Sequence, residues 1–312
     1  MKCSCGKKAV FQHKDSALCK EHFIDYFERK VFSTIKEHAF FDDAESIGVA
    51  ASGGKDSTVL LYLVKKYLEQ SQSQEKLAKP KKHATLCALA IDEGIEGYRK
   101  KTLDFLKAFC EQNEISLSIY SFKSAFGFSL DEAVARLQDY GPCTICGALR
   151  RSLINRFGRK LDVVATGHNL DDECQGIIMN LFKSNTGFLP RLGIRTGVVS
   201  HALFSKRVKP LFFCPEKEVF LYSFLKGFGV PFTECPYAVS SYRDNARRFI
   251  NSVSSQFPGA KESIASHFLS FLPALRRSVE KKQPKQCSSC GEPSAGSLCK
   301  ACEISLAFVA SR

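Results

Sequence analysis

The sequence has no long apolar run and few acidic residues for its number of basic ones. No stretch reaches the roughly 20 apolar residues of a membrane helix, and the N-terminus lacks the apolar core of a signal peptide. We therefore expect a cytoplasmic protein with no membrane segment. The 32 acidic residues are outnumbered by 45 lysines and arginines, which gives a formal net charge of +13. This excess predicts a polyanionic partner, with nucleic acid favoured.

Disulfide bonds are not expected, although the chain has 14 cysteines. Because cytoplasmic thiols are kept reduced, we expect metal sites instead. Two ligand pairs lie near the N-terminus, about a dozen residues apart, and two Cys-x-x-Cys pairs lie near the C-terminus. Each set predicts one tetrahedral Zn²⁺, and the predicted ligands are Cys3, Cys5, Cys19 and His22 in the first set and Cys287, Cys290, Cys299 and Cys302 in the second.

A strand, a glycine turn and a helix are predicted over residues 46–65. The apolar run 47–51 ends at Ser52-Gly53-Gly54, and Lys55-Asp56-Ser57 opens the helix. Glycines let backbone N–H groups approach a phosphate, and a helix N-terminus adds partial positive charge. The turn is not a Walker loop, because Gly54 occupies the lysine position. The pattern therefore predicts a phosphate site of another kind.

Strand and helix signals alternate through the rest of the core. A second buried strand, 84–91, ends at Asp92-Glu-Gly94, and a strand over 161–166 ends in the acidic turn 167–173. This alternation predicts the α/β class, with a doubly wound parallel sheet and right-handed crossovers. Because such sheets bind ligands at the carboxyl ends of their strands, the glycine turn and the acidic turn are expected to flank one nucleotide cleft.

A third cysteine pair, Cys143 and Cys146, lies inside the core and precedes a predicted helix over residues 148–157. The helix N-terminus and the nearby Arg150 predict lowered thiol pKa values. Three uses are open: a redox or persulfide pair, half of a zinc site, or iron–sulfur ligands. Cys235, in a turn before a proline, is the best placed further ligand. Three thiolates on a four-iron cluster would leave one iron open to sulfide.

Taken in order, these motifs resemble the TtuA/NcsA group of tRNA uridine 2-thiolation enzymes in the PP-loop ATPase superfamily. The resemblance rests on the paired ligands at both ends and on residues 52–57, 142–147, 167–173, 208–211, 215–219 and 234–237. It implies an adenine-nucleotide α-hydrolase-like fold, ATP and Mg²⁺ use, a [4Fe-4S] cluster and two zinc fingers. We expect three parts: a zinc finger over 1–30, a PP-loop ATP-binding and thiolation domain over 31–280, and a zinc ribbon over 281–312.

The resemblance also implies roles for single residues. The cluster ligands would be Cys143, Cys146 and Cys235. The catalytic residues would be Lys55, Asp56, Arg150 and Asp171, with Asp172 as a neighbour of Asp171. The ATP-binding residues would be Ala51, Ser52, Gly53, Gly54, Asp56, Ser57, Ile91, Asp92 and Gly167. The candidates for tRNA phosphate contact are Lys206, Arg207, Lys209, Arg243, Arg247 and Arg248.

Two positions depart from the family pattern. Arg150 stands where some members carry lysine, and Phe182-Lys-Ser-Asn185 replaces a Gly-Asp ending that many members have after the preceding helix. Arginine and lysine differ in proton transfer, so the role of Arg150 need not equal that of lysine. The second departure leaves residues 182–185 without a function carried over from the family.

The implied reaction is adenylation of a tRNA uridine O2, followed by sulfur transfer from cluster-bound sulfide with release of AMP and pyrophosphate. One alternative is a cluster-free thiolase with a persulfide on Cys143 or Cys235. Another is a zinc-ribbon RNA-binding protein whose nucleotide site is a sensor. The sulfur source, free sulfide or a ubiquitin-like thiocarboxylated carrier, stays open. So does the modified uridine, wobble or T-loop, with a slight lean to the T-loop type. The resemblance also implies a homodimer.

Overall fold

We describe a computed structural model of the chain over residues 1–13, 16–75, 84–185, 187–197, 201–238, 242–279 and 283–311. The chain opens with a two-stranded antiparallel hairpin, β1 (Phe11–His13) and β2 (Ser16–Leu18), followed by helix α1 (Lys20–Glu37). Phe23, Phe27, Val31 and Ile35 recur every four residues along α1 and are fully buried. This apolar stripe packs the N-terminal module onto the core.

The core is a five-stranded parallel sheet with helices between its strands. The elements are β3 (Ser46–Ala50), α2 (Lys55–Glu75), β4 (Thr85–Asp92), α3 (Arg99–Gln112), β5 (Ser116–Ser121), α4 (Phe122–Phe126), α5 (Leu130–Arg136), α6 (Pro142–Gly158), β6 (Val163–Thr166), α7 (Leu170–Phe182), β7 (Arg207–Val208), α8 (Glu216–Lys226), α9 (Tyr242–Gln256) and α10 (Ala260–Ser278). All strand pairs in this sheet are parallel. The predicted α/β class and parallel sheet are confirmed.

The order of the strands explains where a ligand can bind. It is β5-β4-β3-β6-β7, so the chain winds outward from β3 to β5 and then returns to the other side of β3. The loops after β3 and β6 therefore leave the sheet in opposite directions and open a crevice at its carboxyl edge. The predicted glycine turn and acidic turn follow these two strands.

Helix α6 begins earlier than predicted. The sequence pattern placed its start at residue 148, whereas the helix starts at Pro142 with Gly141 as its N-cap. A proline fits the first helical position, because its fixed φ suits a helix and its missing N–H would have no partner there. Cys143 and Cys146 consequently lie within the first turns of α6, and not in a loop before it.

The C-terminal part packs against the helix that carries this cysteine pair. It consists of the hairpin β8 (Lys285–Gln286) and β9 (Pro293–Ser294), followed by helix α11 (Lys300–Ala310). The Phe308 ring of α11 stacks 4.2 Å from the Phe128 ring, and buried Glu292 accepts a 2.9 Å hydrogen bond from Asn155 of α6. The ribbon therefore packs against α6 and the segment around Phe128. In the part of the chain described, no helix combines the length and apolarity of a membrane span.

Candidate active site

The turn after β3 is closed by its own side chains. The Ser57 hydroxyl donates to the Gly54 carbonyl at 3.0 Å and accepts from the Ser52 backbone N–H at 3.1 Å. Thr58 donates to the same carbonyl at 3.0 Å. These bonds hold the first turn of α2 against the loop. The first N–H groups of a helix have no partner within it, and they are the donors that a phosphate site requires.

Two glycines in and near this turn have no room for a side chain. Gly53 has φ +79°, and a Cβ there would lie 2.1 Å from the carbonyl oxygen of Thr102 on α3. A Cβ on Gly167, after β6, would lie 3.0 Å from the backbone of Asp56 and Ser57. Glycine at 167 thus lets the two loops approach each other, and glycine at 53 lets the first loop pack against α3.

The crevice contains a cavity of about 360 Å³. Most predicted ATP-binding residues line it, and they are Ala51, Ser52, Gly54, Asp56, Ser57, Ile91 and Gly167. Arg150 of α6 and Arg243 of α9 line it as well. Gly53 does not line the cavity and packs against Thr102 of α3 instead. Asp92 lies outside, where its carboxylate accepts a 3.0 Å hydrogen bond from the Gly94 N–H and faces a separate surface groove.

Two carboxylates, Asp56 and Asp172, face the cavity from the two loops. Burial raises the pKa of both, and repulsion by Asp172 adds to this at Asp56, as repulsion by Glu216 does at Asp172, while Lys55 and Arg243 oppose it. Asn169 donates to Asp56 at 3.0 Å and caps α7, which fixes the spacing of the two loops. A divalent cation between the carboxylates would offset this repulsion, and oxygen ligands suit Mg²⁺.

Lys55 and Asp171 do not line the cavity. The Lys55 ammonium lies 2.6 Å from Glu216 of α8 and 3.1 Å from Asp56. Asp171 is buried, forms an ion pair with Lys261 of α10 and accepts a 2.8 Å hydrogen bond from the Glu216 N–H. Asp171 therefore lies outside the cavity, where its contacts join α7 to α8 and α10. Its neighbour Asp172 lines the cavity instead.

A buried charge network links the glycine turn to α6, and sequence reasoning missed it. The Glu93 carboxylate lies 2.9 Å from Nε of Arg99 and 2.8 Å from Nη2 of Arg150. Arg99 also donates to the Ser52 carbonyl at 2.5 Å. Glu93 is only 4% exposed, so its two partners compensate a charge that could not otherwise be buried. The sequence feature that could have indicated this network is the acidic residue Glu93 just after a predicted buried strand.

His168 is a further cavity residue. Its Nδ1 lies 3.0 Å from the Thr166 hydroxyl. Desolvation in the cleft and the charges of Lys209 and Arg243 hold its pKa well below the usual range. A histidine in this setting is neutral at pH 7 and can exchange hydrogen bonds with a ligand.

The three predicted cluster ligands come together at the start of α6. The Cys143 thiol lies 3.7 Å from the Tyr237 carbonyl, two residues after Cys235. Cys146 and Cys235 pack against the same apolar cluster, and Cys235 interacts electrostatically with both other thiols. Nη2 of Arg150 lies 3.2 Å from the Cys146 sulfur. The cysteine trio and the nucleotide cavity therefore share Arg150 as a common wall.

The lowered thiol pKa predicted for this pair is wrong for Cys146. Burial raises its pKa to about 11, and the charges of Glu93 and Cys235 add to this, while Arg150 opposes it only in part. Burial likewise raises the pKa of Cys235. The helix end and the arginine were visible in the sequence, but the surrounding apolar side chains and the buried carboxylate were not.

Both predicted zinc sets are assembled. In each, one ligand atom from every residue lies within 4.8 Å of all the others. Cys3 Sγ lies 3.0 Å from Nδ1 of His22, and Cys5 Sγ lies 3.7 Å from Cys19 Sγ. Cys290 and Cys299 are 3.6 Å apart. Sulfurs on one tetrahedral zinc lie about 3.8 Å apart, given Zn–S bonds of about 2.3 Å, so both donor sets fit this ion.

The candidate tRNA-contact residues separate by exposure. Arg243, Arg247 and Arg248 on α9 are exposed, and Arg207 is partly buried, with Nε donating to Ser205 at 3.1 Å. Lys209 differs from the others, because its side chain is buried and forms a 2.7 Å ion pair with Glu173, so its charge is compensated inside the protein. Its contact with a phosphate stays a prediction.

Comparisons with known proteins agree with this geometry. A family model for the PP-loop domain matches residues 25–234. A probable sulfurtransferase of Methanocaldococcus jannaschii is 34% identical over 311 residues, covering 97% of this chain and 86% of the relative. Cytoplasmic tRNA 2-thiolation protein 1 of Drosophila melanogaster is 35% identical over 310 residues, with the same coverage.

A solved structure is similar over almost the whole chain. It is the U34-tRNA thiolase NcsA from Methanococcus maripaludis with its [4Fe-4S] cluster, at 33% identity and a TM-score of 0.79, covering 97% of this chain and 95% of that one. The chain therefore belongs to the PP-loop proteins and, among them, to the TtuA/NcsA family of tRNA 2-thiolation enzymes.

Proposed function

We propose that this chain is an ATP-dependent, adenylating tRNA-uridine 2-sulfurtransferase. The observation that carries the proposal is the position of Arg150, which lines the nucleotide cavity and contacts the Cys146 sulfur at 3.2 Å. Adenylation activates one oxygen of the base, and sulfur must then attack the carbon that bears it. The two half-reactions need adjacent sites. Because Arg150 borders both the nucleotide cavity and the cysteine trio, the two sites are adjacent in this chain.

The loop over residues 52–57 binds the phosphates of ATP through the N–H groups of its helix end. Asp56 and Asp172 would hold Mg²⁺, and the ion would supply positive charge against the charge of the departing pyrophosphate. Arg99 and Glu93 keep the loop in register with α6 through the Ser52 carbonyl and Arg150. Lys55 and Asp171 support these groups from outside the cavity.

In the reaction, uridine O2 attacks the α-phosphorus of ATP and pyrophosphate leaves. An incoming sulfur then adds at C2, the C2–O2 bond breaks, and AMP departs with the oxygen. The uridine must leave its stack to enter the cavity, at a cost of roughly a few kcal/mol. Arg150 and Arg243 offer positive charge from opposite sides of the cavity to the phosphates of the adenylate.

The cysteine trio fits a [4Fe-4S] cluster, because thiolates are the usual protein ligands of iron–sulfur clusters. Cys143, Cys146 and Cys235 would hold the cluster, and with three protein ligands it would offer a binding position for sulfide. The chain itself places these thiols beside the cavity through the early start of α6 and the turn at residues 236–238.

We further propose that both four-residue sets hold Zn²⁺ and that the chain acts in the cytoplasm, the compartment in the names of its Drosophila and Aspergillus relatives. The name of the structural neighbour favours U34 as the target, in contrast to the slight lean of the sequence to the T-loop. The domain boundaries at residues 30 and 280, a ubiquitin-like sulfur carrier and a homodimer stay predictions.

Anaerobic reconstitution tests the proposal. Protein loaded with iron and sulfide is incubated with unmodified tRNA, ATP, Mg²⁺ and sulfide, and digested tRNA is analysed for 2-thiouridine. We expect brown protein, AMP and pyrophosphate in equal amounts, and thiolation that is lost in Cys143→Ser and kept in the control Cys87→Ser. Colourless active protein would favour the persulfide alternative, and failure to form AMP would favour the nucleotide sensor.

A further inference from the structure

We propose, resting on the function above, that three exposed aromatic side chains on α7 and α9, the helices that supply Asp172 and Arg243 to the cavity, stack on unpaired bases of the tRNA. These are Phe182, Tyr242 and Phe249, called here the aromatic strip. Their exposed fractions are 59%, 39% and 49%. Aromatic side chains that are this exposed and lie together are typical of recognition surfaces rather than of a folded interior.

The three rings form one surface across two helices. The Phe182 ring at the end of α7 lies 5.8 Å from the Phe249 ring of α9, and the Lys183 ammonium lies 4.0 Å over the Tyr242 ring. Tyr242 and Phe249 are seven residues, or about two helical turns, apart and so share one side of α9. Buried Ala246 and Ile250 anchor the same helix.

The end of α7 is shaped to present these groups. The Asn185 N–H donates to the Asn180 carbonyl at 2.9 Å, and Ser184 adopts φ +52°, a left-handed conformation uncommon for residues other than glycine. The chain therefore turns sharply after α7 and leaves Phe182 and Lys183 exposed.

The charge around the strip selects a nucleic acid as the occupant. Two cations lie next to it: the Lys183 ammonium over the Tyr242 ring, and the exposed Arg243, which follows Tyr242 in the chain. Arg247 and Arg248 add positive charge to α9, where both pair with Asp244. Interleaved aromatic rings and cations are the groups that bind unpaired nucleotides, the rings by stacking and the cations at phosphates. A second copy of the chain is disfavoured, because a twofold contact would oppose these cations to themselves.

The strip also lies where unpaired bases are expected. Arg243 lines the cavity and pairs with Asp172 at 2.9 Å, and Tyr242 is its neighbour in the chain. A uridine that enters the cavity leaves the adjacent bases without a stacking partner. The rings on α7 and α9 replace that partner and hold the tRNA loop in place while the chemistry proceeds.

The chain contains no tryptophan, which allows a direct optical test. Phe249→Trp introduces a single tryptophan in the strip, and the control Phe224→Trp introduces one on α8 at a side chain that is 72% exposed. We expect unmodified tRNA to quench the emission of the first variant and leave that of the second unchanged. In parallel, Phe249→Ala should weaken tRNA binding by about fivefold or more, while Phe224→Ala binds as wild type.

Equal emission changes in both tryptophan variants, or unaltered affinity of Phe249→Ala, would overturn the stacking role. If the emission of Phe249→Trp changed with protein concentration in the absence of RNA, the strip would be an interface between copies of the chain and the stacking role would be overturned. These outcomes are separate from the proposed function, because 2-thiouridine formation by the wild-type chain is measured independently and its absence would count against the function alone.

Discussion

The Glu93 carboxylate lies 2.8 Å from the Arg150 guanidinium and joins the nucleotide loop to the helix of the cysteine trio. Its other contact is Arg99, which holds the Ser52 carbonyl. Because Arg150 also contacts Cys146, one buried acid positions both halves of the site. The alignment of nucleotide and sulfur sites depends on this acid.

Glu93→Gln should therefore destabilise the chain and slow the reaction. Removing one member of a buried ion network leaves uncompensated charge on Arg99 and Arg150, which lowers the free energy of unfolding by about 3 kcal/mol. Urea denaturation measures this change. The matched control is Glu96→Gln, at an exposed side chain three residues on, which should stay within about 0.5 kcal/mol of wild type. Equal stabilities of both variants would contradict the role of Glu93.

Gly53→Ala and Gly97→Ala separate backbone strain from steric collision. Both glycines have positive φ, but only at Gly53 would a Cβ meet another atom, the Thr102 carbonyl oxygen at 2.1 Å. Gly97→Ala should lose about 1 kcal/mol of stability and keep its ATP-dependent pyrophosphate release. Gly53→Ala should lose more stability and most of that release, because the loop must shift. Unimpaired release by Gly53→Ala would count against the loop as the phosphate site.

Asp172→Asn and Asp171→Asn test which carboxylate serves the cation. Asp172 faces the cavity, so its loss should raise the Mg²⁺ concentration for half-maximal pyrophosphate formation by roughly tenfold or more. Asp171 pairs with Lys261 in the interior, so its loss should destabilise the fold without altering the Mg²⁺ requirement. Titration of Mg²⁺ against pyrophosphate release distinguishes them, and the reverse pattern would restore Asp171 as the predicted ligand.

Cys290→Ser should remove the C-terminal zinc and loosen α6. Without its metal the ribbon no longer presses Phe308 against Phe128, and α11 separates from the helix that bears Cys143 and Cys146. Zinc content should halve and the Tm should fall, whereas the control Cys87→Ser keeps both values. Unchanged zinc content in Cys290→Ser would show that the four sulfurs do not form a zinc site.

The elements predicted from the sequence were those with a local signal. The glycine turn, the alternation of strands and helices and the paired ligands each depend on residues close in the chain. Glu93 and Arg99 were missed because their importance comes from partners on other elements. The pKa of Cys146 was misjudged and the burial of Lys209 was missed for a related reason, since the sequence shows that a group can ionise but not whether it is buried.

The most direct test of the central claim is a single turnover with isotopically labelled sulfide, comparing wild type with Cys146→Ser. We expect wild-type protein to carry about four irons and to form labelled 2-thiouridine and AMP in equal amounts. Cys146→Ser should release pyrophosphate from ATP and tRNA yet form no 2-thiouridine. Full thiolation by Cys146→Ser, or wild-type thiolation without AMP, would contradict a shared site for adenylation and sulfur transfer.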